Sequence, residues 1–305
     1  MPLPVIVILG PTASGKTKLA TQLAARLDAE IISADSRQVY RKMDIGTGKD
    51  YGDYAVNGQQ IPYHLIDILD AGEKYNVARF QEDFSTSLHV IQQKEKMAIL
   101  CGGTGLYIEA VLSDLSEIQL PVNEQLRAEL GQLSNEELTA KARDFSEQIT
   151  IDFSTRKRLI RGIERGIFLD KNPSFSTNFS PQFSYKIFGL QLPVELRRER
   201  ITKRLQQRLE HEGMINEVQQ LLAAGVTPEQ LIYYGLEYKF ITEYLTQKLT
   251  YNEMQERLNV AIHQFAKRQM TFFRSMEKRG LDIQWLDATL PTDELISQIT
   301  ASLCV

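Results

Sequence analysis

Gly10-Pro-Thr-Ala-Ser-Gly15-Lys16-Thr17 satisfies the pattern G-x-x-x-x-G-K-[ST] at every fixed position. This spacing builds a phosphate cradle. Backbone N–H groups from Ala13 to Thr17 wrap phosphate oxygens at the positive end of a following helix, Lys16 adds a point charge, and Thr17 offers a hydroxyl to Mg²⁺. The loop implies two linked phosphates without requiring that they belong to a nucleotide.

A second group of polar residues, Ser33-Ala-Asp35-Ser36-Arg37-Gln38-Val-Tyr40, begins where an apolar run ends. Carboxyl ends of strands face the ligand crevice of an open parallel sheet, so Asp35 is aimed at the site. On local grounds alone it is equally an N-cap. A nucleotide hydrolase with this loop carries a strand ending in a metal-binding Asp. Here the run Ala98–Cys101 ends in Gly102-Gly103-Thr104-Gly105-Leu106-Tyr107, with no carboxylate. Hydroxyl and backbone donors suit phosphate binding more than hydrolysis. Asp67, after Leu65 and Ile66, is a weaker metal candidate.

Basic residues recur at helical spacing. Arg158, Arg161 and Arg165 fall at i, i+3, i+7, and Arg197, Arg200, Arg204 and Arg208 extend the same series by one more turn. Each set lies on one helix face. A charge stripe is ordinarily a solvated face, but 152–209 holds 13 basic and 5 acidic residues, so acidic partners are scarce. In Lys267-Arg268-Gln269-Met270-Thr271-Phe272-Phe273-Arg274, aromatics interleave with bases, as on a surface for unpaired nucleotides. The plain alternative puts Met270 and Phe273 in the core with the charges outward. Trp285 and 233–239 read as core by default, except Lys239, an exposed base suited to phosphate. The four histidines have no metal spacing, and His64 reads as a packed or hydrogen-bonding residue.

These groups need elements to hold them. Val5–Leu9 is a β-branched apolar run, the pattern of a strand buried on both faces, and Lys16–Leu27 follows with helical spacing. Glu30–Ala34, a short run His64–Ile68, and Ala98–Cys101 read as further strands, with a helical pattern at 77–94. Alternating strands and helices predict an α/β fold, a parallel doubly wound sheet flanked by helices. From about 114 to 180 strand signals vanish and helical patterns run at 123–133, 135–147 and 154–169, which predicts a helical insertion. A strand at 185–190, helices at 194–211, 214–224, 237–247 and 250–275, and a last strand at 283–286 complete the reading. The predicted domains are a catalytic core of 1–113 with 184–305, and an insertion of 114–183.

Length and composition exclude less. The 305 residues suffice for a sizeable core, and 43% hydrophobic with 24% charged residues is an ordinary globular balance. Cys101 and Cys304 are the only cysteines, which rules out a disulfide framework and fits a reducing cytoplasm. No apolar run approaches the ~20 residues that span a bilayer. The first residues read as a strand, not a signal peptide. The net charge of −4 points away from nucleic acid, yet 152–209 alone carries +8, so the whole-chain figure averages a polarised molecule.

Taken in order, the segments at 10–17, 34–40 (Ala-Asp-Ser-Arg-Gln-Val-Tyr), 43–47 (Met-Asp-Ile-Gly-Thr), 64–67, 102–107 and 266–271 make the chain resemble the tRNA dimethylallyltransferases. The resemblance covers nearly the whole chain and is strongest over 1–112 and 194–287. It implies transfer of a dimethylallyl group from dimethylallyl diphosphate to N6 of the adenosine just 3′ of the anticodon, by a cytoplasmic monomer using Mg²⁺. By the same resemblance Asp35 is the general base, and Thr104 and Arg204 stabilise the departing oxygen. Gly10, Pro11, Thr12, Ala13, Ser14, Gly15, Lys16 and Thr17 hold the diphosphate. Asp35, Ser36, Arg37 and Gln38 meet the flipped-out adenosine. Arg158, Arg161, Lys267, Arg268, Gln269 and Arg274 contact the anticodon arm. Three segments depart from the family pattern: Gly48 and Asp50, the stretch Gly235–Lys239, and Asp152–Arg158. Alternatives are an adenylate prenyltransferase acting on AMP, ADP or ATP, a small-molecule kinase binding ATP through the same loop, and a non-catalytic RNA-binding protein.

Overall fold

The computed structural model of the chain describes residues 3–113, 120, 122–146, 149, 151–172, 175 and 181–303. The first strand, β1 (Val5–Leu9), has no polar residue and buries all five side chains. It therefore occupies the middle of a sheet covered on both faces. The helix α1 (Lys16–Leu27) turns back over it and buries Leu19, Ala20, Leu23 and Ala24. Then come β2 (Glu30–Ser33), a 3₁₀ turn at Tyr51–Tyr54, a small ribbon of β3 (Ala55–Val56) and β4 (Gln59–Gln60), and β5 (Tyr63–His64). The helix α2 (Val77–Gln93), capped by the Asn76 side chain, leads to β6 (Ala98–Gly102) and α3 (Gly105–Leu112).

Three helices follow: α4 (Glu124–Leu130), α5 (Asn135–Arg143) and α6 (Arg156–Lys171). The chain re-enters the sheet at β7 (Tyr185–Gln191). It then forms α7 (Val194–Glu210), α8 (Met214–Ala223), α9 (Pro228–Tyr233), α10 (Leu236–Leu245), α11 (Tyr251–Lys278), β8 (Ile283–Asp287) and α12 (Thr292–Leu303).

The main sheet runs β5-β2-β6-β1-β7-β8, and every pairing in it is parallel. One core cluster joins Ile6 and Ile8 of β1, Leu19 and Leu23 of α1, Ile31 and Ile99, with Ile296 and Ile299 of α12. Strands β2, β5 and β6 lie on one side of β1 and β7 and β8 on the other, so the crevice for a ligand opens at the carboxyl ends of β1 and β6.

The chain divides into two compact units, Met1–Val111 with Pro181–Val305, and Leu112–Ser180. The second has its own core of Leu130, Leu138, Ala142, Leu159 and Ile163. Buried Glu164 ties it together electrostatically. It accepts from Arg127 Nε and Nη2 at 3.1 and 2.9 Å, from Arg161 Nη1 at 2.5 Å, and from the Asn123 amide at 2.6 Å. Among the described residues no helix is long and apolar enough to cross a membrane.

Several elements differ from the sequence reading. Of the run His64–Ile68 only His64 is in a strand, the second residue of β5, because Leu65 and Asp67 sit at φ 63° and 57°, outside the strand region. The pattern at 123–133 is a helix of 7 residues, and Gly105–Tyr107 opens α3, a helix the sequence reading does not name. The 55–60 ribbon, α9 and α12 lie in stretches where the sequence suggests no element. Cys304 lies outside the described residues.

Candidate functional site

The phosphate loop turns through two left-handed residues, Ala13 at φ 61° and Gly15 at φ 86°. Such angles cost a residue with a Cβ on the order of 1 kcal/mol or more, so glycine suits the second position and Ala13 holds local strain. No side chain caps α1, which leaves the amides of its first turn pointing out of the helix as a ready anion site. The Ser14 side chain is buried and its Oγ has no hydrogen-bond partner, an orphaned donor beside those amides. Lys16 is half-buried. Burial lowers its pKa, opposed by the Cys101 and Asp35 side chains nearby.

The loop is clamped from α11. The Gln269 side chain accepts from the Thr12 amide at 2.8 Å and donates to the Gly103 carbonyl at 2.9 Å. One buried amide thus fixes the distance between the loop after β1 and the loop after β6. From α7, Arg204 Nη2 donates to the Thr12 hydroxyl. Burial and the charge of Arg208 push the Arg204 guanidinium down to about 10, and it remains a cation at neutral pH.

Asp35 stands just past the end of β2. Its Oδ1 accepts the Arg37 amide at 2.9 Å, a local turn that fixes the carboxylate, and no helix follows for it to cap. Thr104 bridges the two loops. Its amide donates to the Ala34 carbonyl at 3.2 Å and its hydroxyl accepts the Ser36 amide at 3.1 Å. Gly102 makes this approach possible, because a Cβ there would lie 2.2 Å from the Ala34 oxygen. Gln38 is held by the Ser33 hydroxyl at 3.0 Å and donates to the Gly48 carbonyl at 3.0 Å. Asp50 accepts from Arg208 at 2.7 Å, which ties the same 44–50 segment to α7. Buried Glu217 accepts the amides of Asp44, Ile45 and Gly46 at 2.7–3.0 Å. Glu237 adds a second carboxyl coupled to Asp35, Arg204 and Arg208, and burial raises its pKa.

Asp35, Ser36, Gln38, Thr104, Arg204 and the phosphate loop therefore form one connected set. Other expectations change. Asp67, the weaker metal candidate, is engaged within the chain, its carboxylate accepting from buried Lys49 and from the Tyr51 hydroxyl. Gln269 is not an exposed RNA contact; it is buried because it holds the two loops. Arg161 is bound to Glu164 and to the Leu120 carbonyl, an acidic partner that the stripe count missed. Arg158 remains 61% exposed, paired with Asp152. Lys239 is half-buried, its ammonium 5.1 Å from the Phe240 ring centre. Lys267, Arg268 and Arg274 are exposed, while Met270 and Phe273 are core residues. Tyr233 is 53% exposed, not core, and the Arg37 guanidinium lies 5.5 Å from its ring centre.

Asp50, Arg208 and Glu217 carry the site's support and escape motif reading. Only the helical spacing of Arg204 and Arg208 signals part of it.

A parallel sheet with a phosphate loop after its central strand defines the P-loop class of α/β proteins. Within that class, the family model described as IPP transferase matches residues 38–276. A tRNA dimethylallyltransferase of Bacteroides fragilis is 54% identical over 299 residues, covering 98% of this chain and 97% of its own. One of Geotalea uraniireducens is 46% identical, covering 92% of each chain. Among solved structures, the full-length tRNA isopentenylpyrophosphate transferase of Bacillus halodurans aligns with a TM-score of 0.70 at 30% identity, over 99% of this chain and 95% of that one. A eukaryotic dimethylallyltransferase captured acting on tRNA aligns with a TM-score of 0.75 at 26% identity, over 94% of this chain and 74% of that one. The chain belongs to the IPP transferase family.

Proposed function

We propose that the chain transfers a dimethylallyl group from dimethylallyl diphosphate to N6 of the adenosine just 3′ of the anticodon in tRNA, releasing diphosphate. The observation that carries this reading is the pairing of a complete phosphate loop with Asp35 in one crevice, where the strand beside the loop ends in Gly102 and Gly103 without a hydrolase's carboxylate.

In the reaction the C1–O bond to diphosphate breaks and a C1–N6 bond forms. The electron pair leaves with the diphosphate oxygen, and the N6 proton goes to Asp35. The amine becomes acidic only as the new bond forms, so an ordinary carboxylate suffices as base. Gly10 to Thr17 hold the diphosphate through backbone amides, with Lys16 as the fixed charge. Arg204, oriented by Thr12, and Thr104, oriented by Ser36, stabilise the departing oxygen; such preorganised donors contribute roughly 3–4 kcal/mol each in comparable oxyanion sites.

The residues present also fit Mg²⁺. This ion binds through one or two protein oxygens plus waters and substrate phosphates, which Thr17 next to the orphaned Ser14 hydroxyl satisfies. When bound it would neutralise diphosphate charge. Asp35, Ser36, Arg37 and Gln38 receive the adenosine. Lys239, Lys267, Arg268 and Arg274 with Arg158 supply cations to the anticodon arm, while Arg161 is engaged by Glu164 and Gln269 acts through the loops it holds. The reading takes the working unit as a monomer, in the cytoplasm with its tRNA.

Incubation with labelled dimethylallyl diphosphate, Mg²⁺ and an anticodon stem-loop is expected to label the RNA, with excess AMP unable to compete. Labelling of AMP in preference to RNA, or phosphoryl transfer from ATP, would replace this reading with one of its rivals.

A further inference from the structure

Two consecutive tyrosines stand at the end of α9 in opposite environments. Tyr234 is 2% exposed and Tyr233 is 53% exposed. The chain leaves them through Gly235, at φ 149° and ψ −176°, a backbone conformation essentially reserved for glycine. Both rings are held from the segment that carries Asp35. Tyr40 packs on Tyr234 with ring centres 4.5 Å apart, and Arg37 places its guanidinium over the Tyr233 ring, 5.5 Å from the centre. The Tyr234 hydroxyl accepts from the Gly72 amide, and the Tyr233 ring meets Tyr234 edge-on, at 5.8 Å and 75°. An exposed ring fixed in this way has already lost freedom that binding would otherwise take from it.

A single exposed aromatic side chain is ordinary on a protein surface. Tyr233 differs by its place. The Arg37 amide is the donor that anchors the Asp35 carboxylate, so one residue joins the proposed base to the exposed ring. The Tyr107 side chain of α3 interacts electrostatically with Arg37, Asp35, Tyr40 and Tyr233 alike, which puts Tyr233 in the neighbourhood of that base. A guanidinium over one face of the ring leaves the other face to a planar partner, and every nucleobase has a π-face to offer.

We propose that the Tyr233 ring, backed by Arg37, is a stacking platform for the nucleobase adjoining the target adenosine, and that it favours an RNA over a free adenine nucleotide. An adenine with its N6 at Asp35 occupies the crevice end of Arg37, which leaves the ring at the other end of that side chain to the next base along the strand. A mononucleotide has no such base. The proposal rests on the reading of the chain as an RNA prenyltransferase.

In the full-length protein, Tyr233→Ala is expected to weaken binding of an anticodon stem-loop roughly tenfold, the scale of one base–aromatic stack, with the slope of log K against log salt as in the wild type. In steady-state transfer the loss falls on the KM for the stem-loop and not on that for dimethylallyl diphosphate, and Tyr233→Phe, which keeps the ring, restores the affinity. Stem-loops with an abasic site immediately 5′ or immediately 3′ of the target adenosine identify the stacked base. One of them is expected to bind the wild type about as weakly as the intact stem-loop binds Tyr233→Ala, and to lose nothing further in that variant. Equal affinity of Tyr233→Ala and wild type for the intact stem-loop, or losses that multiply with both abasic sites, would overturn the platform while leaving the transfer reaction in place. A wild type whose affinity neither abasic site lowers would overturn it as well, without recourse to a variant. Failure of the wild type to label the intact stem-loop would overturn the functional reading and the platform with it.

Discussion

Asp35 carries the proposed chemistry, and its surroundings explain how a surface-level turn holds a base steady. One oxygen is anchored by the Arg37 amide, and the neighbouring Ser36 amide is anchored by Thr104. The carboxylate therefore meets its substrate already oriented. Gln269 is the least obvious residue of the set. Replacing it with Ala leaves the Thr12 amide and the Gly103 carbonyl without partners, at a cost of about 1–3 kcal/mol. Gln269→Ala is expected to raise the KM for dimethylallyl diphosphate roughly tenfold, measured in steady-state transfer at saturating stem-loop. An unchanged KM would mean that the clamp does not shape the diphosphate site. The family resemblance placed Gln269 among the RNA contacts, as part of the basic stretch 267–274. Residue type cannot tell inward from outward on a helix until the partner loops, 257 and 166 positions away, are in place.

At the scale of elements, the buried Glu164 of α6 joins α4, α6 and the backbone before α4. Glu164→Gln keeps the shape but leaves Arg127 and Arg161 without a buried counter-charge, a loss on the order of 2 kcal/mol given that Arg127 is partly exposed. The variant is expected to lower the thermal midpoint of the inserted unit. Protection of α4–α6 amides in hydrogen exchange would fall with it, while the amides of β1 and β6 stay protected; loss of protection in β1 would contradict this assignment. The central strands and long helices were legible because β1 and β6 are continuous apolar runs and α11 has its apolar stripe and a Thr250–Glu253 capping box. The short pieces were not. The strand at Tyr63–His64 is defined by pairing with Ile31 and Ile32 of β2, a tertiary fact. The phosphate loop and Asp35 were legible for the same reason as the strands, since each sits at the end of an apolar run. The 44–50 segment was not legible as support, because its partners Arg208 and Glu217 come from α7 and α8.

At the scale of the whole molecule, a chain with net charge −4 still exposes basic residues along α7 and α11, among them Arg198, Lys267, Arg268 and Arg274. Two buried carboxylates also set its acid limit. Glu30 is held below the usual glutamate value of 4.5 by His64 and Lys94 despite burial, and Glu164 by Arg127 and Arg161. A depressed folded-state value means that each contributes stability above about pH 4.5 and loses it as the pH falls through its own value. Unfolding midpoints in urea are therefore expected to drop as the pH falls below about 4.5, less steeply in Glu30→Gln. A midpoint that rises on acidification would contradict this. The central claim concerns the transfer itself. Single-turnover transfer from dimethylallyl diphosphate to an anticodon stem-loop, scored for both N6-prenylated adenosine and released diphosphate, tests it most directly. The account predicts equal amounts of the two products in the wild type and a rate lower by about 10²–10⁴ in Asp35→Asn at saturating stem-loop. An Asp35→Asn rate equal to wild type, or diphosphate released without prenylated RNA, would contradict it.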